Sequence, residues 1–143
     1  MSSAWALIQR DTEILMIRRA LDRGRGGQWC MPGGTMWKGE KPDVACVRET
    51  FEETGLRVTI KQPIAVFRDS HYFLCSLNDP DPQVRLRTCE ASEYVWTPPK
   101  DILRLGTIMD LRRVIPLFSH VGLTLPDLPH PLTMAVPEAL FVP

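Results

Sequence analysis

Three glutamates that lie close together in the sequence are the side chains best suited to chemistry. Glu49, Glu52 and Glu53 fall within the stretch "RETFEETGL". A helix advances about 100° per residue, so these three side chains would share an arc of about 100°. Like charges three and four positions apart repel and cost an isolated helix roughly a few tenths of a kcal/mol per pair. The three glutamates therefore need a partner that offsets this repulsion.

Water or a divalent cation could be that partner. Runs of charged residues usually form a solvated helix face, whereas Mg²⁺ and Mn²⁺ prefer several carboxylate oxygens and keep positions open for water and substrate phosphates. The flanking residues favour a metal site. A Pro-Gly-Gly turn at 32–34 can approach a metal or phosphate closely, and Glu40 adds a carboxylate. Arg48, four positions before Glu52, can pair with one carboxylate but cannot neutralise all three.

One helix, predicted from about residue 42 to residue 54, must position these side chains. Pro42 suits the first helical turn, and Gly55 suits the left-handed position just past a helix end. Val44, Val47 and Phe51 cluster on the side opposite the glutamates. We expect them to form the core-facing side of this helix.

The other elements alternate around this helix. Apolar-rich segments at 4–10 and 13–20 predict a hairpin, and the Gly/Arg-rich stretch at 21–28 predicts an exposed loop. Further strands are predicted at 57–69, 71–77, 83–88 and 93–97. Residues 107–122 have helical spacing, with Pro116 expected to end or kink that helix. This order predicts an α/β fold with one mixed sheet covered by helices on its faces.

Composition limits the partners. The 17 basic and 17 acidic residues cancel, so no broad positive field is available to hold duplex nucleic acid, and a small molecule is the expected partner. We expect no membrane segment and no signal-peptide core, which suggests a cytoplasmic protein. The four cysteines are widely spaced and are expected to be reduced thiols rather than a zinc site.

The chain divides into two parts by composition. Residues 1–122 are expected to form a single domain, since 143 residues with 44% hydrophobic content suit one core. Residues 123–143 are rich in both proline and apolar side chains. We expect this C-terminal extension to pack on the domain or on a partner subunit of a homodimer.

The spacing of the polar and glycine residues resembles the signature of the Nudix hydrolases. Seven positions carry this resemblance: Gly34, Glu40, Arg48, Glu49, Glu52, Glu53 and Gly55. It implies a Nudix-type α/β/α sandwich. It also implies Mg²⁺- or Mn²⁺-dependent hydrolysis of a nucleoside diphosphate linked to another moiety. Trp37, where many members have glutamate, and Thr50, where a bulky aliphatic residue is usual, depart from the family pattern.

The resemblance also implies roles for individual residues. Glu49, Glu52 and Glu53 would bind metal together with the Gly33 carbonyl, and Arg48 would orient a glutamate. Gly34 and Gly55 would be structural, and Glu40 would cap the helix or join its hydrogen-bond network. Three candidates for the general base remain: Glu49, Glu93, which precedes a tryptophan-containing strand, and Glu90 as the runner-up to Glu93.

Substrate contacts are less constrained by the sequence. Arg23 and Arg25 on the glycine-rich loop and Lys38 could contact phosphates, and Tyr72 could stack on a base. Solubility or strand packing would explain these residues as well. The leading expectation is a nucleoside triphosphate pyrophosphohydrolase that releases a monophosphate and pyrophosphate. A dinucleoside polyphosphate hydrolase and a nucleotide sensor without hydrolytic activity are the alternatives.

Overall fold

The computed structural model describes residues 1–123 and the backbone of residues 139–141. Eight strands are present in these residues: β1 Ser3–Arg10, β2 Glu13–Arg19, β3 Trp29–Cys30, β4 Gly33–Thr35, β5 Val58–Phe67, β6 Ser70–Leu77, β7 Ala91–Thr97 and β8 Ala139–Phe141. The helices are α1 Pro42–Thr54, a 3₁₀ helix Pro99–Arg104 and α2 Leu111–His120. Within the same residues, no helix is long and apolar enough to cross a bilayer.

The strands form one mixed sheet. Its order is β3-β2-β1-β6-β5-β8, with β4 paired to β1 and β7 paired to β2. The pairing of β1 with β6 is parallel, and β1 and β2 form the predicted antiparallel hairpin, with Gln9 opposite Ile14. The parallel pair connects the two halves of the sheet.

Helices cover both faces of this sheet. Leu7 packs in a cluster with Leu117 and Phe118 of α2, whereas its neighbours Ala6 and Ile8 pack in a second cluster with Ala45 and Cys46 of α1. Successive side chains of a strand point to opposite faces, so the two helices lie on opposite sides. The α/β/α sandwich with a mixed sheet is therefore confirmed.

The bounds of α1 follow from its end residues. Pro42 begins the helix, and Gly55 follows its end at φ 74°, donating its N–H to Phe51 O at 2.8 Å. A left-handed residue costs little only for glycine, so this position ends the helix at Thr54. The predicted span of 42–54 is confirmed.

The predicted core face of α1 is wrong at two of its three residues, since only Val47 packs against the core. Val44 and Phe51 are 52% and 43% exposed, whereas Ala45, Cys46 and Thr50 are fully buried. Small side chains on the buried face let the helix lie close to the sheet, and Cys46 Sγ lies 3.9 Å from Cys75 Sγ of β6. The choice of face therefore follows from a close helix–sheet approach rather than from the largest apolar residues.

Two further expectations differ from the structure. Residues 83–88 form no strand; instead Arg85 N–H donates to Thr54 O at 2.7 Å and Arg87 N–H to Glu53 O at 2.9 Å. Carbonyls in the last turn of a helix lack partners within the helix, and this segment supplies them. Helix α2 spans Leu111–His120 rather than 107–122. Of the two effects predicted for Pro116, it does not end the helix, and a kink at this residue stays a prediction.

The C-terminal extension is described only in part. The backbone of β8 pairs antiparallel with β5, with Val66 opposite Leu140. Residues 124–138 and 142–143 lie outside the described residues. The proposed packing of 123–143 on the domain or on a partner subunit stays a prediction.

Candidate active site

Arg48 organises the acidic face of α1 by using all of its N–H groups. Its Nε and Nη2 donate to the two oxygens of Glu40, each at 2.8 Å. Its Nη1 donates to Glu49 at 3.0 Å and Glu52 at 3.1 Å, and Nη2 also reaches the Thr35 carbonyl at 3.1 Å. The sequence predicted one paired carboxylate, and the structure shows three. Arg48 therefore offsets much of the repulsion among these glutamates.

Glu40 is an ion-pair partner of this arginine rather than a helix cap. Its two-pronged bond to Arg48 is the main cause that lowers the pKa of Glu40 to about 2, with help from the Trp37 N–H. Lys41 occupies the N-cap position of α1, and no side chain caps the helix. Of the two predicted roles for Glu40, the structure shows the hydrogen-bond network.

Glu53 lies deepest of the three glutamates. Its side chain is 3% exposed and accepts the Gly33 N–H at 3.0 Å. Burial raises the pKa of the carboxyl to about 7, and the Gly33 N–H works against this rise. A carboxylate removed from water gains strongly from a nearby cation.

Glu49 lies close to the backbone of β4. Burial is the largest cause that raises its pKa, and Arg48 opposes the rise. A Cβ placed on Gly34 would lie 2.5 Å from Glu49 Oε2. The absence of a side chain at position 34 therefore leaves room for this carboxylate to point toward the cleft.

An open cleft of about 430 Å³ lies beside Glu49 and the Gly33 backbone that bonds to Glu53. It is lined by Ser3, Trp5, Arg19, Arg23, Arg25, Gly33, Gly34, Thr35, Glu49, Glu90, Met109 and Asp110. Carboxylates and arginines share this one space. Such a combination can bind a phosphate-bearing molecule with a cation between the phosphates and the carboxylates.

The two arginines predicted from the glycine-rich loop both line this cleft. Arg23 donates from Nη1 to the Glu90 carbonyl at 3.2 Å, and Arg25 forms an ion pair with Asp110 at 3.0 Å. The loop is therefore attached to the residue before β7 and to the start of α2. Arg19, which the sequence did not single out, is a third arginine of the cleft.

The candidate bases separate clearly. Glu90 lines the cleft, and its charge contributes to the raised pKa of both Glu49 and Glu53. Glu93 lies outside the cleft lining, where its half-exposed side chain is paired with Arg18 at 2.8 Å. The structure thus brings Glu90 and Glu49 together and leaves Glu93 apart.

Tyr72 and Lys38 do not line this cleft. Tyr72 is 5% exposed and packs edge-on against Phe67, with ring centroids 6.4 Å apart. Lys38 is exposed on the turn before α1. Tyr72 borders a small neighbouring pocket that shares Trp5, Met109 and Asp110 with the cleft, and its stacking on a base stays a prediction.

Trp5 is the aromatic residue of the cleft, and the sequence did not identify it. It lies opposite Tyr72 in the β1–β6 register, and its indole N–H donates to Ser3 Oγ at 2.9 Å. The pairing of β1 with β4 and β6 places Trp5 opposite both Gly33 and Tyr72. No local signal in "SAWALIQR" indicates that position.

The donor set fits a divalent cation in its chemistry. All of the expected ligands are oxygens, and the buried Glu53 carboxylate carries the raised pKa that a cation would reverse. Among residues 1–123, no three His, Cys, Asp or Glu side chains are arranged to hold one ion as they stand. Glu49 and Glu52 each give only one oxygen to Arg48, so a shift that keeps these bonds and brings the second oxygens toward Glu53 would complete the site.

The fold and site define an α/β/α sandwich in which an arginine-organised carboxylate helix borders a basic cleft. The chain matches the family model described as NUDIX domain over residues 1–118. It is 29% identical over 104 residues to a MutT-like protein of Streptomyces ambofaciens, which covers 71% of this chain and 65% of that protein. It is 30% identical over 107 residues to the CTP pyrophosphohydrolase of Escherichia coli (strain K12). This match covers 69% of this chain and 76% of that protein.

The solved structures agree with this match. A C. elegans Ap4A hydrolase in a binary complex superposes with a TM-score of 0.69 at 24% identity, over 85% of this chain and 96% of that chain. The chain belongs to the Nudix hydrolase family, and the resemblance inferred from Gly34 to Gly55 is confirmed. It spans slightly less than two thirds of the Streptomyces relative, 65% of its length.

Proposed function

We propose that this chain is a divalent-metal-dependent pyrophosphohydrolase that cleaves a nucleoside triphosphate to a monophosphate and pyrophosphate. One observation carries the proposal. Glu49, which Arg48 orients together with Glu52, lies at the wall of a cleft whose other charged residues include three arginines. Carboxylates alone would repel a polyphosphate, and arginines alone would bind it without activating water.

The residues divide the work of binding and positioning. Arg19, Arg23 and Arg25 supply donors for phosphate oxygens, and Trp5 offers a ring surface for a base. Glu49, Glu52 and Glu53 would hold Mg²⁺ or Mn²⁺, with the Gly33 carbonyl as an expected further ligand. When bound, the cation would neutralise charge on the phosphates and make a water molecule more acidic.

Proton removal falls to a carboxylate of the cleft. Glu49 and Glu90 are the two candidates that line it. Glu93, paired with Arg18 at 2.8 Å, is the weaker candidate.

The triphosphate substrate is supported by size and by likeness. A cleft of about 430 Å³ is sufficient for one nucleotide, since ligand pockets span roughly 300–1,000 Å³. The Escherichia coli relative at 30% identity is named a CTP pyrophosphohydrolase. A dinucleoside polyphosphate would require a second base-binding surface outside this cleft.

A panel of nucleotides with chromatography of the products tests the proposal. We expect turnover of at least one nucleoside triphosphate with Mg²⁺ or Mn²⁺ and release of pyrophosphate rather than orthophosphate. If a dinucleoside polyphosphate were cleaved in preference to every nucleoside triphosphate, it would replace the nucleoside triphosphate as the proposed substrate. Tight nucleotide binding by calorimetry without any product after long incubation would identify a sensor instead of an enzyme.

A further inference from the structure

Trp37 occupies an unusual place for a large apolar side chain. It is 61% exposed, yet one face of its indole lies over the Arg48 guanidinium, with Cζ 3.8 Å from the ring centroid. An aromatic face attracts a cation without competing for its N–H groups, so Trp37 can hold Arg48 while all of the N–H groups stay bonded to carboxylates and to the Thr35 carbonyl.

A tight turn places Trp37 on this arginine. The Glu40 N–H donates to the Trp37 carbonyl at 3.0 Å, and Gly39 at φ 78° provides the left-handed residue that such a turn needs. The Trp37 N–H in turn donates to Glu40 Oε1 at 2.9 Å. The same four residues therefore present a ring to one face of Arg48 and a carboxylate to its edge.

This arrangement limits the movement of Arg48. The bonds to Glu40 are its shortest, at 2.8 Å, and the shared bonds of Nη1 to Glu49 and Glu52 are longer, at 3.0 and 3.1 Å. The side chains of Arg48 and Glu40 are only 14% and 7% exposed. The indole contributes to this shielding, and charged hydrogen bonds are stronger where water is excluded.

We infer that Trp37 is a positioning residue for the cation site: by fixing the guanidinium plane, it holds Glu49 and Glu52 in orientations that leave one oxygen of each for a divalent cation. The inference rests on the proposed metal-dependent function. Without the indole, one face of Arg48 is open to water and the guanidinium can rotate. Cation binding then has to fix the orientation of Arg48, which Trp37 fixes in advance in the parent, and this cost weakens the affinity for the cation.

Calorimetric titration of Mn²⁺ into the metal-free full-length protein measures this effect directly. Trp37→Ala should weaken Mn²⁺ binding by about threefold to tenfold, the range expected for a lost cation–π contact. Trp37→Phe should restore most of the affinity, and Trp37→Leu, which keeps apolar bulk without an aromatic face, should not. Tyr94→Ala is the matched control, because Tyr94 is a 46% exposed aromatic residue of β7 outside the cleft lining.

Each outcome decides the inference. Equal Mn²⁺ affinity in the parent and in Trp37→Ala would overturn it, even if the melting temperature fell. A raised KM for the nucleotide with unchanged Mn²⁺ affinity would also overturn it and would make Trp37 a substrate contact. If Trp37→Ala does not fold, the inference requires Trp37→Phe to bind Mn²⁺ at least about threefold more tightly than Trp37→Leu.

Failure of the proposed function would look different. If the parent bound no Mn²⁺, or if Glu53→Gln bound it as tightly as the parent, then the metal site itself would be wrong. Loss of affinity in Glu53→Gln with full affinity in Trp37→Ala would leave the metal site standing and remove only the role of Trp37.

Discussion

At the residue scale, Glu53 combines burial with a charge that the fold alone does not balance. Its pKa is raised from 4.5 to about 7. The folded state therefore binds a proton more tightly than the unfolded state. The associated stability is complete below about pH 4.5 and is lost as the pH rises through the folded pKa.

Glu53→Gln removes this pH dependence. In chelator-treated protein at pH 8, the variant should have a higher free energy of unfolding than the parent, by on the order of 3 kcal/mol at most. Urea unfolding measures this difference, which should shrink toward pH 4. With saturating Mg²⁺, turnover should fall by about a hundredfold or more. Parallel stability profiles from pH 4 to pH 8 would show that Glu53 is ionised without cost in the folded protein.

Glu90 and Glu93 offer a matched pair for the general base. Glu90→Gln changes a carboxylate of the cleft, and Glu93→Gln changes one that pairs with Arg18. We expect Glu90→Gln to lower kcat by about a hundredfold or more if Glu90 is the base, in line with general-base contributions, and Glu93→Gln to stay within about twofold of the parent. Rate measurements across pH would settle the comparison. A large loss of kcat in Glu93→Gln alone would favour Glu93 over Glu90 as the general base, as the sequence suggested.

At the element scale, α1 depends on how it ends. Gly55 has φ 74°, and a Cβ there would lie 3.4 Å from Arg85 Cβ. Gly55→Ala should lower the free energy of unfolding by roughly 1–2 kcal/mol, because a residue with a Cβ strains the left-handed conformation. Urea unfolding measures the change. Gly24→Ala is the control, since nothing lies within 4 Å of its Cβ position. Equal stability of the two variants would mean that the helix end readjusts.

The same helix shows how far the sequence determined the site. Pro42 and Gly55 fix its ends through backbone geometry, which is local, so its span was predicted correctly. The buried face was not, because it depends on how closely α1 approaches the sheet, and Ala45, Cys46 and Thr50 permit that approach where Val44 and Phe51 would not. The placement of Trp5 likewise depends on strand pairing between distant segments.

At the scale of the whole molecule, β8 adds a strand to the edge of the sheet that β5 would otherwise form. Truncation after Gly122 removes this pairing and exposes the N–H and C=O groups of β5. We expect a lower melting temperature or an increase in mass in solution, because an open edge can pair with another chain. Calorimetry and light scattering provide the measurements.

Truncation after Phe141 is the control for this experiment. It keeps β8 and removes only the last two residues, so it should behave as the parent does. If the truncation after Gly122 also left melting temperature, mass and activity unchanged, the C-terminal extension would contribute nothing to the domain.

The distribution of the thiols makes the protein suitable for site-specific labelling without mutagenesis. Cys30, Cys46 and Cys75 are buried, and only Cys89 of the four cysteines is exposed. Burial also raises the pKa of Cys30 to about 12. This side chain therefore stays in its protonated thiol form, which is unreactive toward maleimide. A maleimide dye should therefore attach once per native molecule, directly beside Glu90. From that position its fluorescence would report, in real time, when a nucleotide enters and leaves the cleft.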